Sequence, residues 1–148
     1  MPLRILCVCT GNTCRSPMLA ALLGDALQRA GITATVQSAG TAAAPGDHAS
    51  AEAVAAMARR GIDLSDHASC PVMSLDLSAF DRIYVVSSRH AAFVRAQGVS
   101  AERLTVVAAD RGGVPDPWGG DAEVYEATAR HLESEIARIV ADLATLPR

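Results

Sequence analysis

Short apolar runs alternate along the chain with segments whose hydrophobic residues recur at helical spacing. The first run covers residues 3–8 and ends before Gly11, which is typical of a buried parallel strand. Comparable runs predict three further strands at residues 33–38, 82–86 and 103–107.

Four segments with helical periodicity lie between and after these strands. Ser16 and Pro17 mark the start of the first helix, because serine can cap a helix and proline suits its first position. The other three are predicted at about residues 49–60, 89–96 and 121–143. The alternation predicts an α/β fold: a single domain over residues 1–148, with a four-stranded parallel sheet and helices on both faces.

The composition narrows the possible partners. The formal net charge is −3 and no run of like charges occurs, so we expect neither nucleic acid nor a membrane as a partner. The first apolar run is too short for a signal peptide, and no segment approaches the roughly 18 apolar residues of a membrane span. We therefore expect a cytoplasmic protein. We also expect a monomer.

The four cysteines do not fit a disulfide framework or a structural zinc site. Cys7, Cys9 and Cys14 fall within eight residues, and Cys7 and Cys9 would point to opposite faces of one strand. Paired zinc ligands are missing, because Cys70 stands alone. Reduced thiols are the better interpretation.

The loop at residues 9–16 carries the strongest chemical signal. It lies beyond the carboxyl end of the first strand and enters a helix, so backbone N–H groups and the helix dipole favour a bound phosphate. Gly11 would allow a positive φ or a close approach of the backbone to that ligand. The phosphate-binding residues predicted beside Cys9 and Arg15 are Thr10, Gly11, Asn12, Thr13, Cys14 and Ser16.

Two side chains would make this anion site catalytic. Cys9 stands where N–H groups stabilise a thiolate and make it a nucleophile. Arg15 can fold over the same anion with two parallel N–H contacts. Ser16 can donate its hydroxyl to the sulfur.

The motif from Cys7 to Met18 resembles the signature of the low-molecular-weight protein tyrosine phosphatases. The resemblance extends to residues 38–41 and 116–118, nearly the whole chain. It implies a four-stranded parallel sheet, no metal or other cofactor, and phosphorylated proteins as substrates. It also implies that Cys9 becomes the phospho-enzyme cysteine, that Arg15 clamps the phosphate, and that Asp116 acts as general acid and then as base. Asp116 stands between two prolines in a stiff turn, which suits a displayed proton donor.

The same resemblance implies supporting roles. Asn12, Ser16, Ser38 and His67 would hold the loop in shape. Cys14 would form a protective disulfide with Cys9, or else it packs under the loop. His48, His90 and His131 are interpreted as surface or structurally satisfied residues, Cys7 as a core residue and Cys70 as an incidental thiol.

Two residues bear on specificity. Thr13 stands where typical tyrosine phosphatases have an apolar residue, and together with Gly119 and Gly120 it resembles the branch that acts on phosphoarginine in proteins. Trp118 is interpreted as a wall of the substrate pocket, with a packed loop anchor as the alternative.

Three other functions are alternatives to a phosphoarginine phosphatase. The first is a tyrosine phosphatase without arginine preference. The second is an arsenate reductase, which needs further cysteines to resolve an adduct on Cys9. The third is a non-catalytic anion-binding module, which would need neither the thiol nor Asp116.

Overall fold

The computed structural model describes residues 2–147 and contains one parallel sheet of four strands. The strands are β1 (Leu3–Cys9), β2 (Ala34–Gly40), β3 (Arg82–Val85) and β4 (Leu104–Val106). Their spatial order is β2-β1-β3-β4, and all three neighbouring pairs are parallel. The predicted α/β fold with a four-stranded parallel sheet is therefore confirmed.

Four helices flank this sheet. They are α1 (Arg15–Arg29), α2 (Ala51–Ala58), α3 (Ser88–Ala96) and α4 (Ala122–Ala144). The predicted start of α1 at Ser16 and Pro17 is wrong, because the helix begins at Arg15 and its cap, Cys14, makes no side-chain capping bond. Ser16 does not cap the helix, because its hydroxyl is engaged by the loop that precedes it. No helix within residues 2–147 is long and apolar enough to cross a membrane.

The central strand β1 supplies both halves of the core. Its odd residues, Cys7 among them, belong to a buried cluster that includes residues of α1, α2 and α4. Leu6 and Val8 belong to a second cluster, on the face of the sheet covered by α3. This division follows from the pleat, which turns successive side chains to opposite faces. The predicted burial of Cys7 in the core is confirmed.

The carboxyl end of the sheet supports two loops. The first, residues 9–16, joins β1 to α1, and Cys9 lies opposite Gly40 of β2. The second, residues 107–121, joins β4 to α4. The N–H of Ala108 donates to the buried Glu135 carboxylate at 2.9 Å, and the N–H of Val114 donates to the Val86 carbonyl at 2.8 Å. These bonds bring the second loop back over the edge where the first begins.

Candidate active site

Cys9 lies at the last position of β1 and is almost completely buried. Its Sγ is 2.9 Å from the Ser16 hydroxyl, and the backbone N–H of Asn12 donates to the same sulfur at 3.3 Å. Hydrogen bonds to the charged form of a group favour that form. The Ser16 hydroxyl and the Asn12 N–H are therefore both within reach to donate to a charged sulfur.

Asn12 organises the 9–16 loop. Its side-chain amide donates to Ser16 Oγ at 2.8 Å and to Ser38 Oγ at 2.9 Å, and its Oδ1 accepts from the backbone N–H of Cys70 at 2.9 Å. Its carbonyl accepts from His67 Nε2 at 2.7 Å, which requires the hydrogen of that ring to be on Nε2. The structure thus brings the four predicted support residues, Asn12, Ser16, Ser38 and His67, into one hydrogen-bond network. The backbone N–H of Cys70 also belongs to this network, which the sequence did not predict.

The conformation of Asn12 corrects one sequence interpretation. The positive φ in this loop belongs to Asn12, at 58°, and not to Gly11. Asparagine is one of the few residues other than glycine that visits the left-handed region readily. A Cβ at Gly11 would meet only the Thr13 hydroxyl, at 3.8 Å, so the protein itself leaves room for a side chain there.

Arg15 connects the two loops. Its side chain is buried, its Nη1 donates to the Val114 carbonyl at 3.0 Å, and its Nη2 lies 3.6 Å from Asp116 Oδ2. Its Nε is buried without a hydrogen-bond partner among residues 2–147. Leaving a buried donor unpaired is costly, so an anion held in the loop would complete the guanidinium's contacts.

A cavity of about 210 Å³ opens between the loops. Its lining consists of residues 9–15, Asp116 and Trp118. Within residues 2–147, the N–H groups of Gly11, Thr13 and Cys14 donate to no protein acceptor. Free N–H groups around a concave site at a helix N-terminus are the usual setting for a phosphate.

The far wall of the cavity is exposed. The side chain of Asp116 is 51% exposed, and its Oδ1 accepts from the backbone N–H of Trp118 at 3.1 Å. Trp118 is 76% exposed. An anchor packed on the domain would be buried, so the alternative interpretation of Trp118 is wrong. The indole stands at the mouth of the cavity, free to contact a substrate.

Cys14 is buried under the loop, on the side away from solvent. Its Sγ lies 3.1 Å from the Tyr125 hydroxyl and 3.6 Å from Ser50 Oγ. Burial and the contact with Cys14 raise the pKa of Tyr125 to about 12, so its hydroxyl stays protonated. Packing under the loop is thus observed, and a role as redox partner of Cys9 stays a prediction.

His90 is the residue that sequence analysis missed. It lies in the first turn of α3, is 3% exposed, and its Nε2 is 2.8 Å from Thr10 Oγ1. Its other ring nitrogen, Nδ1, is 2.7 Å from Ser87 Oγ. Its ring nitrogens are satisfied, as predicted, but one of its partners, Thr10, belongs to the 9–16 loop. The sequence does contain a signal for this site, because Ser87 and His90 stand three residues apart just after a buried strand.

Comparison with known proteins agrees with this geometry. A family model described as low molecular weight phosphotyrosine protein phosphatase matches residues 4–146. A protein-arginine-phosphatase of Geobacillus stearothermophilus is 37% identical over 98% of this chain and 99% of its own length. A second protein-arginine-phosphatase, from Bacillus subtilis, is 33% identical over 94% of this chain and 95% of its own length.

A solved structure shows the same arrangement of elements. It is a cysteine-to-serine mutant of the YwlE arginine phosphatase whose active-site serine is phosphorylated. It superposes with a TM-score of 0.89 at 31% identity, over 97% of each chain.

Proposed function

Because the chain belongs to the low molecular weight phosphotyrosine protein phosphatase family and is a phosphoprotein phosphatase, we propose that it prefers phosphoarginine to phosphotyrosine. We propose further that the reaction passes through a phosphocysteine intermediate. The observation that carries the preference is Thr13, which lines the same cavity as Asp116.

In the first step, the Cys9 thiolate attacks phosphorus. The S–P bond forms as the bond from phosphorus to the substrate nitrogen or oxygen breaks. The protonated carboxyl of Asp116 gives its proton to the departing atom. The free N–H groups of the loop and the Arg15 guanidinium hold the phosphoryl oxygens, where charge is spread in the transition state.

In the second step, a water molecule attacks the phosphocysteine. Asp116, now a carboxylate, takes a proton from the water, and the S–P bond breaks to release phosphate. Ser16 donates to the sulfur at 2.9 Å and stabilises it as a leaving thiolate. The phosphorylated active-site serine of the YwlE mutant supports covalent transfer to this position in that relative.

The preference for phosphoarginine follows from the donors of the leaving group. A guanidinium carries N–H groups that are costly to bury without acceptors. The Thr13 hydroxyl can accept from one N–H and Asp116 from another. An apolar side chain at position 13 would pack against a phenyl ring but leave a guanidinium unpaired. Discrimination that depends on pairing polar groups can be large.

The test is Thr13→Ile, measured as kcat/KM on matched phosphoarginine and phosphotyrosine peptides. We expect the ratio of the two values to shift toward phosphotyrosine. Thr13→Val has nearly the shape of threonine but no hydroxyl, and should shift the ratio in the same direction. Thr13→Ser keeps the hydroxyl and should change it least. An unchanged ratio in Thr13→Ile would favour the plain tyrosine-phosphatase alternative.

We also propose that Cys14 protects Cys9 from irreversible oxidation. Peroxide would oxidise the Cys9 thiolate to a sulfenic acid, which condenses with the Cys14 thiol to a disulfide and releases water. Thiol reductant should then restore activity, and Cys14→Ser should recover less after the same treatment. Equal recovery would remove Cys14 as the partner.

Arsenate reduction is not better supported by the remaining cysteines. Cys7 is fully buried in the core, and its burial, with the charge of Cys9, raises the pKa of its thiol. Cys70 is only partly buried, and its Sγ lies 3.3 Å from Ser74 Oγ.

The cytoplasmic location, the monomeric state and the absence of nucleic-acid or membrane partners stay predictions from the sequence.

A further inference from the structure

Thr10, the residue after Cys9, is fixed from two sides. Its carbonyl accepts from the N–H of Ala42 at 3.0 Å, in the segment that follows β2. Its side-chain hydroxyl lies 2.8 Å from Nε2 of the buried His90, on the opposite side of the loop. The first residues of the catalytic loop are therefore held between the segment after β2 and helix α3.

The hydrogen-bond partners of His90 are compatible with a hydrogen on Nε2. Burial, followed by the charge of Arg15, lowers the pKa of His90 to about 4, so the ring is neutral near pH 7. Arg89 acts in the same direction and Asp116 opposes it. Ser87 Oγ accepts from the backbone N–H of His90 at 3.4 Å, and its own proton is available for donation to Nδ1, 2.7 Å away. With Nδ1 as acceptor, Nε2 carries the hydrogen and donates to Thr10.

We propose that His90 is a positioning residue, which donates from Nε2 to Thr10 Oγ1 and so turns the hydrogen of the Thr10 hydroxyl toward the phosphate cavity. A threonine hydroxyl has one hydrogen. When its oxygen accepts from His90, that hydrogen remains free for another acceptor, and Thr10 lines the cavity with Arg15 and Asp116. Thr10 thereby becomes one more donor to a phosphoryl oxygen, held in place by a side chain outside the loop.

This inference rests on phosphatase chemistry at the loop but not on the choice of substrate. It would therefore survive a failure of the phosphoarginine preference, provided the effects described next appear on either phosphorylated peptide.

Two amides at position 90 separate the two contacts of the ring. In His90→Gln, the side-chain amide can reach the place of Nε2 and donate to Thr10. In His90→Asn, the shorter amide reaches only the place of Nδ1, so it keeps the contact with Ser87 and loses the one with Thr10. We expect His90→Asn to lower kcat/KM and the affinity for vanadate about tenfold, as for one lost hydrogen bond. His90→Gln should stay closer to the wild type in both measurements.

Thr10 variants test the same bond from the other end. Thr10→Val removes the hydroxyl at nearly constant shape and should match His90→Asn, whereas Thr10→Ser keeps the hydroxyl and should lose less than Thr10→Val in both measurements. The double variant Thr10→Val with His90→Asn should be no worse than either single variant, because both remove one interaction. Thermal unfolding of each variant separates this effect from a general loss of stability.

Three outcomes would overturn the proposal. One is equal kcat/KM and equal vanadate affinity in His90→Asn and His90→Gln. Another is additive losses in the double variant. If the position 90 variants fail to fold, Thr10→Val alone decides, and wild-type kinetics and vanadate binding in that variant would refute the role of the pair.

Discussion

The two loops that enclose the active-site cavity are built in opposite ways. In the 9–16 loop, Asn12 alone makes five hydrogen bonds, and Cys9 and Arg15 are buried. In the 107–121 loop, the Asp116 side chain is 51% exposed and Trp118 is 76% exposed. The first loop is hydrogen-bonded to β2, α3 and α4. The second loop lines the cavity with the largely exposed side chains of Asp116 and Trp118.

This difference separates two tasks. A site that stabilises transition-state charge works best when its donors are already in place, because no reorganisation is then needed during the reaction. The part of the substrate beyond phosphorus varies in shape. The exposed side chains of Asp116 and Trp118 can adjust to it when the substrate binds. Arg15 joins the two parts, since it contacts the Val114 carbonyl and lies near Asp116. The predictions below address each loop separately.

The largest effect is expected inside the 9–16 loop, at Cys9, the proposed nucleophile. Cys9→Ser should abolish turnover, because a serine hydroxyl is far less ionised than a thiol at neutral pH. Phosphate binding should persist, because Arg15 and the loop N–H groups are unchanged. Turnover of a phosphorylated peptide and calorimetric binding of phosphate measure the two properties.

Cys7→Ser is the matched control, since Cys7 lies on the same strand and is fully buried in the core. It should lose stability by about 1–3 kcal/mol, the cost of burying an unpaired hydroxyl, and retain turnover. Activity in Cys9→Ser would remove that residue as the nucleophile.

The next effect concerns the proton donor of the 107–121 loop. Asp116→Asn should lower kcat by roughly 10²–10⁴-fold, the range for losing a positioned acid. The loss should shrink for a substrate with a very acidic leaving group, which hardly needs protonation. Steady-state kinetics on a series of aryl phosphates checks both expectations.

Asp121→Asn provides the same chemical change in the same loop. Asp121 caps α4 by accepting from the Val124 N–H at 3.1 Å, and asparagine caps a helix about equally well. Its kcat should be unchanged. A uniform loss across all leaving groups in Asp116→Asn would point instead to a structural role for the turn.

The rigidity of the two loops can be compared with two alanine variants, one at Gly40 of β2, which packs against the 9–16 loop, and one at Gly119 within the 107–121 loop. At Gly40, a Cβ would overlap the Thr10 carbonyl oxygen and lie 3.0 Å from Asn12 N, so Gly40→Ala must distort the 9–16 loop. We expect it to lose about 3 kcal/mol of unfolding free energy, together with phosphate affinity. At Gly119, φ is 84° but a Cβ would meet nothing within 4 Å, so Gly119→Ala should lose about 1 kcal/mol.

Denaturant unfolding and phosphate titration of the two proteins measure this contrast. Equal losses of stability, or unchanged phosphate affinity in Gly40→Ala, would contradict a rigid 9–16 loop.

The smallest effect is expected at the mouth of the cavity. Trp118→Ala should raise KM for a phosphorylated peptide about fivefold, equivalent to about 1 kcal/mol of aromatic contact, and leave small substrates unaffected. Met73 is an exposed hydrophobic residue that does not line the cavity, so Met73→Ala should leave KM unchanged for the phosphorylated peptide and for small substrates. A Trp118→Ala variant with normal KM would remove the indole from the substrate-contacting surface.

Much of the catalytic loop could be predicted because its residues are adjacent in sequence. Cys9, Arg15 and Ser16 lie within one strand–loop–helix unit, so their proximity follows from local geometry. Asp116 is 101 residues away from Arg15, and composition or periodicity alone could not bring it to the cavity. That expectation depended on the family resemblance, and the ion-pair distance of 3.6 Å between the two side chains agrees with it.

The errors arose where a residue's partner is distant. Ser16 fits the pattern of a helix cap, but its hydroxyl is engaged by Cys9 and Asn12. Gly11 fits the pattern of a positive φ, but Asn12 adopts it, because bonds to Ser38 and Cys70 hold that residue in place. In both cases a tertiary contact outweighs a local preference.

The sequence by itself determined the α/β alternation, the position of the candidate nucleophile Cys9 at the end of β1 and the placement of Arg15 in the same loop. These depend on period, spacing and side-chain chemistry within short segments. Only the tertiary structure decided that His90 contacts Thr10, that Cys14 packs against Tyr125 and that Trp118 is exposed. The two contacts join segments tens of residues apart. Both these contacts and the exposure of Trp118 are set only after the strands have paired and the helices have packed on the sheet.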